Sequence, residues 1–492
     1  MSELAKKART AVAWTAGLNI LRDAVQFVQM LVVVRILPPE AYGKYGLSSS
    51  IIGFVMVFSA REFIAHTVLE RDDKAVNYQE QFTAGSVIHG TLFLAVNALA
   101  VAVRWFPAYA PVAPLLHVSS LLFLLDLPSE LRIRMLERRM DWQRLRTVEG
   151  TGILLGAATT ILLAYAGAGV YALVIPLCVL PGVFATDLLL IERWRPTFQW
   201  SHERYRASRE FGSRRVMSLS IVVGTNLFES SIMARAVGFG LLGLFGRATG
   251  LATLFCQRFS SLLTSAIYPV LARIPRRSAA YQRVSALVLR SVAWLVVPIA
   301  AGVSLIRHDL VTLMYGSKWV EVIPLLPLAM LGGVFLAVGA AAYSLLLASQ
   351  EARFCLYADI WRLIAMPAAV LIAIPFGLQA YLLGLVIVHL VSTALTLYWL
   401  RQSGGVVIRG IVSAVLPPLA ATVVAVLATE SVRVLALTEM PSVIRLAIYI
   451  PVFASIYLLV LRSAFATPLR EVVSYLPKAD HVHRLLRFAE AA

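Results

Sequence analysis

The side chains best placed to do chemistry are Arg22 and Asp23, which interrupt an apolar stretch from residue 12 to 34 together with Thr15, Asn19, Gln26 and Gln29. At about 100° per residue, these six fall within an arc of roughly 120° on one helix face. The remainder of the helix is dominated by Ala, Val, Leu, Ile, Phe and Trp, so it offers one wet stripe and a broad lipid-compatible face. A charge at the centre of a bilayer costs about 2.5 to 3.5 kcal/mol, so Arg22 and Asp23 are expected to face protein or water. Two roles suit them. One is a structural Arg/Asp pair holding the helix to a neighbour; the other, favoured by the stripe, is the charged lining of a cavity for a polar substrate.

Other charges lie at membrane depth. Arg61 and Glu62 are adjacent, so they point about 100° apart and cannot share one narrow face; one of them is expected to pair with Asp23 or Arg22. Arg247 lies roughly two turns inside its apolar segment, deeper than a side chain snorkels easily, and is assigned to a cavity. Glu229 is a candidate to neutralise Arg247 or to bind a coupling cation, as are Asp23 and Glu62. Arg258 is expected to be interfacial. Asp359 and Arg362, at i and i+3, are expected to pair with each other. His89 and His389 are lone histidines in apolar segments and read as hydrogen-bonded packing elements.

These residues must be positioned by membrane helices. The chain of 492 residues is 59% hydrophobic and 14% charged, with a mean hydropathy of +0.78. That places it outside the soluble globular range. Segments long enough to cross about 30 Å of hydrocarbon recur near residues 12–34, 43–66, 82–103, 112–131, 147–167 and 170–191. Further ones lie near 213–237, 240–268, 284–306, 322–348, 355–375, 377–400, 406–429 and 441–463. The fold class is therefore an all-α polytopic membrane protein with about fourteen transmembrane helices, some kinked by internal Pro and Gly.

Lys and Arg gather on one side of these segments. The clusters are Lys6, Lys7 and Arg9; Arg132 to Arg146; Arg193 to Arg215; Arg273 to Arg283; and a tail with Arg470, Lys478, Arg484 and Arg487. The positive-inside rule makes that side, and both termini, cytoplasmic. It also accounts for the net charge of +17 without nucleic acid, since basic segments are drawn to anionic headgroups. The basic leader is read as preceding an uncleaved first span. The stretch from Leu131 to Arg146 is expected to be a solvated or headgroup-touching face. Cys178, Cys256 and Cys355 lie on separate segments without metal-ligand spacing, so no metal and no disulfide framework is expected. The outward loops are short, the longest near 307–321, and no phosphate-cradling Gly loop, HExxH or nucleophile elbow is present, so no enzyme is expected.

The chain also repeats itself. Asn19 leads through Arg35 to Gly43-Lys44-Tyr45-Gly46; Asn226 leads through Glu229 and Arg235 to Gly243-Leu244-Phe245-Gly246. Six helices separate the two starts, an even number, which preserves orientation. Two like-oriented six-helix lobes, residues 10–200 and 210–400, are expected around a cavity, with two extra helices over 401–463 and a cytoplasmic tail over 464–492.

Arg35-Ile36-Leu37-Pro38-Pro39-Glu40-Ala41-Tyr42-Gly43 resembles the R-I-L-x-P-E-x-[FY]-G signature of the polysaccharide transporter family of the multidrug/oligosaccharidyl-lipid/polysaccharide exporter superfamily. Gly243-Leu244-Phe245-Gly246-Arg247-Ala248 is similar to that family's eighth-span motif. Leu310 to Trp319, followed by Val322-Ile323-Pro324-Leu325-Leu326, resembles its tenth. The resemblance implies a flippase that carries polyprenyl-pyrophosphate-linked oligosaccharide from the inner to the outer leaflet of a bacterial cytoplasmic membrane by alternating access, for O-antigen, exopolysaccharide or capsule synthesis. It implies no cofactor, a monomer among membrane lipids, and contact with the polymerase and chain-length proteins of the same pathway. Arg22-Asp23-Ala24 and Arg247 also resemble motifs of the lipid II flippase branch. That likeness implies that Arg22 and Arg247 line the pyrophosphate cavity, where guanidinium forks suit phosphate oxygens, and Arg61 with the stripe residues Asn19, Gln26 and Gln29 is expected to line it with them. The rivals are a cation-coupled multidrug exporter of the same superfamily and a membrane glycan polymerase or ligase. Central arginines argue against the first, and short outward loops against the second.

Overall fold

The computed structural model describes residues 3–64, 76–258, 260–261, 264, 271, 273–275, 278–349, 352–404, 408–436 and 440–473, some of them by their backbone alone. The chain divides into two compact units, 1–243 and 244–492.

The first unit holds α1 (Glu3–Ile36), α2 (Pro39–Met56), α3 (Arg61–Ile64), α4 (Tyr78–Val103), α5 (Ala113–Arg138), α6 (Trp142–Tyr165), α7 (Tyr171–Val174), α8 (Val179–Thr186) and α9 (His202–Ala236). Local chemistry sets several starts. Asn77 accepts from the amides of Gln79 (3.0 Å) and Glu80 (3.4 Å) to cap α4, Asp141 accepts from Arg144 N (3.1 Å) to cap α6, and Pro39 stands in the first turn of α2. The sixth expected span is a chain of short pieces, since Pro176 and Pro181 each remove a helix donor. α1 packs on α6, α4 on α5, α5 and α6 on α8, and α2 on α9.

The unit boundary falls inside α10 (Gly238–Ala252). The second unit continues with α11 (Ala279–Leu305), α12 (Arg307–Met314), α13 (Leu326–Ala348), α14 (Ala352–Ala373), α15 (Leu378–Gly404), α16 (Ile408–Ala436), α17 (Ser442–Ala464) and α18 (Ala466–Val473). Trp294 on α11 donates to the carbonyl of Ala414 (3.1 Å) on α16, and Tyr457 on α17 donates to the carbonyl of Trp294 (2.8 Å). These bonds cross a buried cluster that includes Phe453, Leu461 and Leu469. Trp319, the aromatic of the tenth-span motif, is fully buried and meets the Tyr315 ring at 5.8 Å, so that motif residue is structural.

Among the described residues, twelve helices are long and apolar enough to cross a membrane. The second and seventh expected spans, α2 and α9, are helical but not among the twelve. They carry polar residues, Glu40, Lys44 and Ser48 to Ser50 on α2 and Asn226, Glu229, Ser230 and Ser231 on α9. Part of that polarity is turned inward: Ser50 Oγ lies 3.1 Å from Ser230 Oγ. The outer surface is apolar; Ile20, Leu94 and Leu162 are each about two-thirds exposed or more, as a lipid-facing exterior requires.

Candidate functional site

α1 presents three faces. Leu18 packs into the space left by Gly150 on α6, where an added Cβ would stand 3.3 Å from Leu18 Cδ1. Ile20, Phe27 and Val28 are exposed on a second arc. The polar stripe occupies the third, away from both. On it Asn19 and Gln29 are half-buried, Gln26 is exposed, and the Arg22 and Asp23 side chains are 33% and 47% accessible. Arg22 Nε lies 3.7 Å from Asp23 Oδ1, a loose contact that leaves the guanidinium open to an anion. A groove of about 590 Å³ runs between α1 and α6, lined by Trp14, Leu18, Leu21, Arg146, Thr151 and Leu154, on the α6 side of α1 and off the stripe.

Arg61 takes partners that the sequence did not single out. Its Nε lies 3.0 Å from both carboxylate oxygens of Asp126, its Nη2 also meets Asp126, and Glu130 Oε1 is 3.4 Å away. Both acids come from α5, the fourth span. Asp126 is wholly buried; Arg61 keeps 42% of its side chain accessible. Glu62's side chain lies outside the described residues. His89 is a packing element, as expected: Ala60 N–H donates to its Nε2 (3.2 Å), and its Nδ1 bonds the carbonyl of Phe123 (2.8 Å).

The Leu131–Arg146 stretch is not a solvated face throughout. α5 runs two turns past its expected end, and Arg132 is fully buried, donating to Asp187 (2.5 Å) and meeting Glu192 at 3.1 Å. Arg144 binds the other oxygen of Asp187 (2.8 Å), and Arg139 binds Glu192 (2.7 Å). The charges are legible in sequence but this pairing is not, because Asp187 is some 55 residues from Arg132. The Arg139 hydrogen bond, outweighing burial and helped by Arg132, holds Glu192 below its ordinary range. The side chains of Arg204, Arg206, Arg209, Arg214 and Arg215 lie outside the described residues.

The internal repeat has a physical counterpart within the first unit. A Cβ on Gly43 would lie 1.8 Å from the carbonyl oxygen of Phe239, and one on Gly243 would lie 1.9 Å from that of Pro39. Each glycine meets the residue four positions before the other, so the two copies of the motif cross reciprocally, backbone against backbone. Glu229 and Arg247 are both half-buried. Asp359 and Arg362 do not pair with each other; Tyr343 donates to Asp359 (3.0 Å) and Arg362 lies over the Tyr343 ring at 5.6 Å. Among the described residues no His, Cys, Asp and Glu group could hold a metal ion.

Residues 32–324 match the family described as Polysaccharide biosynthesis protein. The chain is 23% identical over 414 residues to the lipopolysaccharide biosynthesis protein WzxC of Escherichia coli (strain K12), covering 80% of this chain and 81% of that one. It is 22% identical over 326 residues to the succinoglycan biosynthesis transport protein ExoT of Rhizobium meliloti (strain 1021), 66% of each chain. Among solved structures, the lipid II flippase MurJ in an inward closed conformation matches with a TM-score of 0.68 at 11% identity, covering 92% of this chain and 99% of that one. An inward-facing multidrug resistance MATE family transporter of the MOP superfamily matches with a TM-score of 0.58 at 17% identity, over 77% and 94%. These two show the fold.

Proposed function

Since the chain belongs to the polysaccharide biosynthesis protein family, we propose that it is a flippase moving polyprenyl-pyrophosphate-linked oligosaccharide from the inner to the outer leaflet of a bacterial cytoplasmic membrane. The observation that carries this reading is the accessible stripe of Asn19, Arg22, Gln26 and Gln29 on a helix whose other exposed arc is apolar. Such a substrate has an anionic pyrophosphate, a polar glycan and a long apolar tail, and it needs a basic, wet surface within reach of lipid. Relatives named for lipopolysaccharide biosynthesis and succinoglycan transport support the same class.

In this reading Arg22 and Arg247 anchor the pyrophosphate. Arg61 is the weaker third, because Asp126 and Glu130 already neutralise it. Residues 10–200 and 210–400 act as the two lobes, and Asp23, Glu62 and Glu229 serve charge balance or ion coupling. The reciprocal Gly43/Gly243 crossing supports the repeat on which the lobes rest. Anion binding by both lobes would give the substrate unequal affinity for two conformations, which is what biases a switch. The basic loops support cytoplasmic termini, and the chain itself needs no catalytic residue for this work. A multidrug exporter shares the fold, but an arginine at the centre of the stripe repels organic cations.

The test is glycan export in cells producing normal levels of each variant, with inner-leaflet accumulation of the lipid-linked repeat unit measured alongside. Arg22→Ala and Arg247→Ala are expected to abolish export, and Arg22→Lys, which keeps charge but loses the planar fork, to fall between. Normal export by both alanine variants would overturn the anchor assignment.

A further inference from the structure

The second span breaks at Val57 to Ala60 without a Pro or Gly. α2 ends at Met56, whose carbonyl accepts from Ser59 N (3.0 Å), and α3 starts at Arg61. The amide of Ala60, which in a continuous helix would bond the Met56 carbonyl, donates instead to His89 Nε2 at 3.2 Å. An inserted side chain that takes a ladder donor is a sufficient cause for such a break. His89 is fixed in one tautomer by its neighbours: Nδ1 faces a carbonyl and must carry hydrogen, while Nε2 faces an N–H and must offer its lone pair. Asp126 Oδ2 stands 4.0 Å from that same Nε2, and Asp126 is the principal partner of Arg61.

We propose that His89 and Asp126 form a one-proton site that couples proton binding to the break in the second span and to the hold on Arg61. A proton from water bonds to Nε2, using the lone pair that accepted from Ala60. The imidazolium then has a donor where it had an acceptor, so the Ala60 amide is expelled and left to close onto the Met56 carbonyl. The new N–H donates to Asp126, which now balances the imidazolium and loosens Arg61. The charged groups facing His89 are Asp126 and Arg61, and behind them Glu130 with its partner Arg134 (3.2 Å). The consequence for export rests on the flippase reading; the switch itself does not.

The experiment uses the full chain in nanodiscs, with Cys178 replaced by Ser and a nitroxide on Phe58→Cys, an exposed position in the break; Cys256 and Cys355 are buried. Label mobility is followed between about pH 8 and pH 5, the window in which His titrates. The wild-type background is expected to show a reversible change. His89→Gln, whose amide oxygen still accepts from Ala60 but takes no proton, should keep the alkaline spectrum throughout. Asp126→Asn, which removes the carboxylate that balances the imidazolium, should move the change to lower pH, and an unmoved titration would sink the coupling. A flat wild-type titration, or a His89→Gln protein that titrates like wild type, would sink the switch, and Asp126→Asn decides independently should one variant fail to give monodisperse protein. In cells, His89→Gln should lower glycan export several-fold; wild-type-level export overturns the coupling. If the unaltered protein exports no glycan while its spectra titrate, the flippase reading fails and the switch stands.

Discussion

At the scale of single residues, the arginines sort by the company they keep. Arg132 is fully buried between the buried Asp187 and the more accessible Glu192, with Arg144 and Arg139 completing the set, so removing it takes from Asp187 its buried partner. Arg132→Ala is expected to cost about 3 to 5 kcal/mol of stability, and replacing the pair Arg132 and Asp187 together by apolar residues much less. Thermal unfolding in detergent would check both. Glu192 adds a pH dependence whose sign is fixed by its lowered pKa. Its contribution is present above the unfolded carboxylate value of about 4.3 and is lost as pH falls through the lower folded value. Glu192→Gln should therefore flatten the acid limb of the melting-temperature profile. Arg22 differs from Arg132 in kind, since its contact to Asp23 at 3.7 Å is loose and its side chain is accessible.

At the scale of elements, α2 and the C-terminal part of α9 run antiparallel. Gly53 faces Val223, Phe54 covers Gly224, Ser50 meets Ser230, and beyond α9 the chain reaches the Gly43 and Phe239 contact. Glycine is required at that contact because the obstacle is a backbone carbonyl, which cannot move out of the way as a flexible side chain can. Gly43→Ala and Gly243→Ala should each force the crossing apart, at a cost of about 1 to 3 kcal/mol. Cysteine crosslinking between Ser50→Cys and Ser230→Cys should fall in yield in either alanine background, and unchanged yield would show that the helices adapt. Gly46 and Gly246, the second glycines of the same motif copies, face open space, and alanine there should be tolerated.

At the scale of the whole molecule, the charge bias of the loops makes a topology prediction. A cysteine at Thr197, between the sixth and seventh spans, should resist an impermeant reagent added outside intact cells, whereas one at Ala166 should react; the reverse result would invert the protein. Contact assigns α9 to residues 1–243, whereas in the proposed two-lobe arrangement it is the first helix of the second lobe. By itself the sequence determined the membrane class, most of the spans, the polar stripe on α1 and the internal repeat. Each of these is a local or periodic property, written in the hydropathy of one segment at a time. It also marked His89 as a packing element, because an isolated ionisable group in an apolar helix must find a partner. Only the tertiary structure decided which partners meet. Arg61 joins Asp126 across 65 residues, Arg132 joins Asp187 across 55, and Asp359 and Arg362 turn to Tyr343, not to each other. Spans two and seven turn part of their polarity on one another, through Ser50 and Ser230. Pairing energies depend on distances between helices, and no periodicity within a helix records those distances.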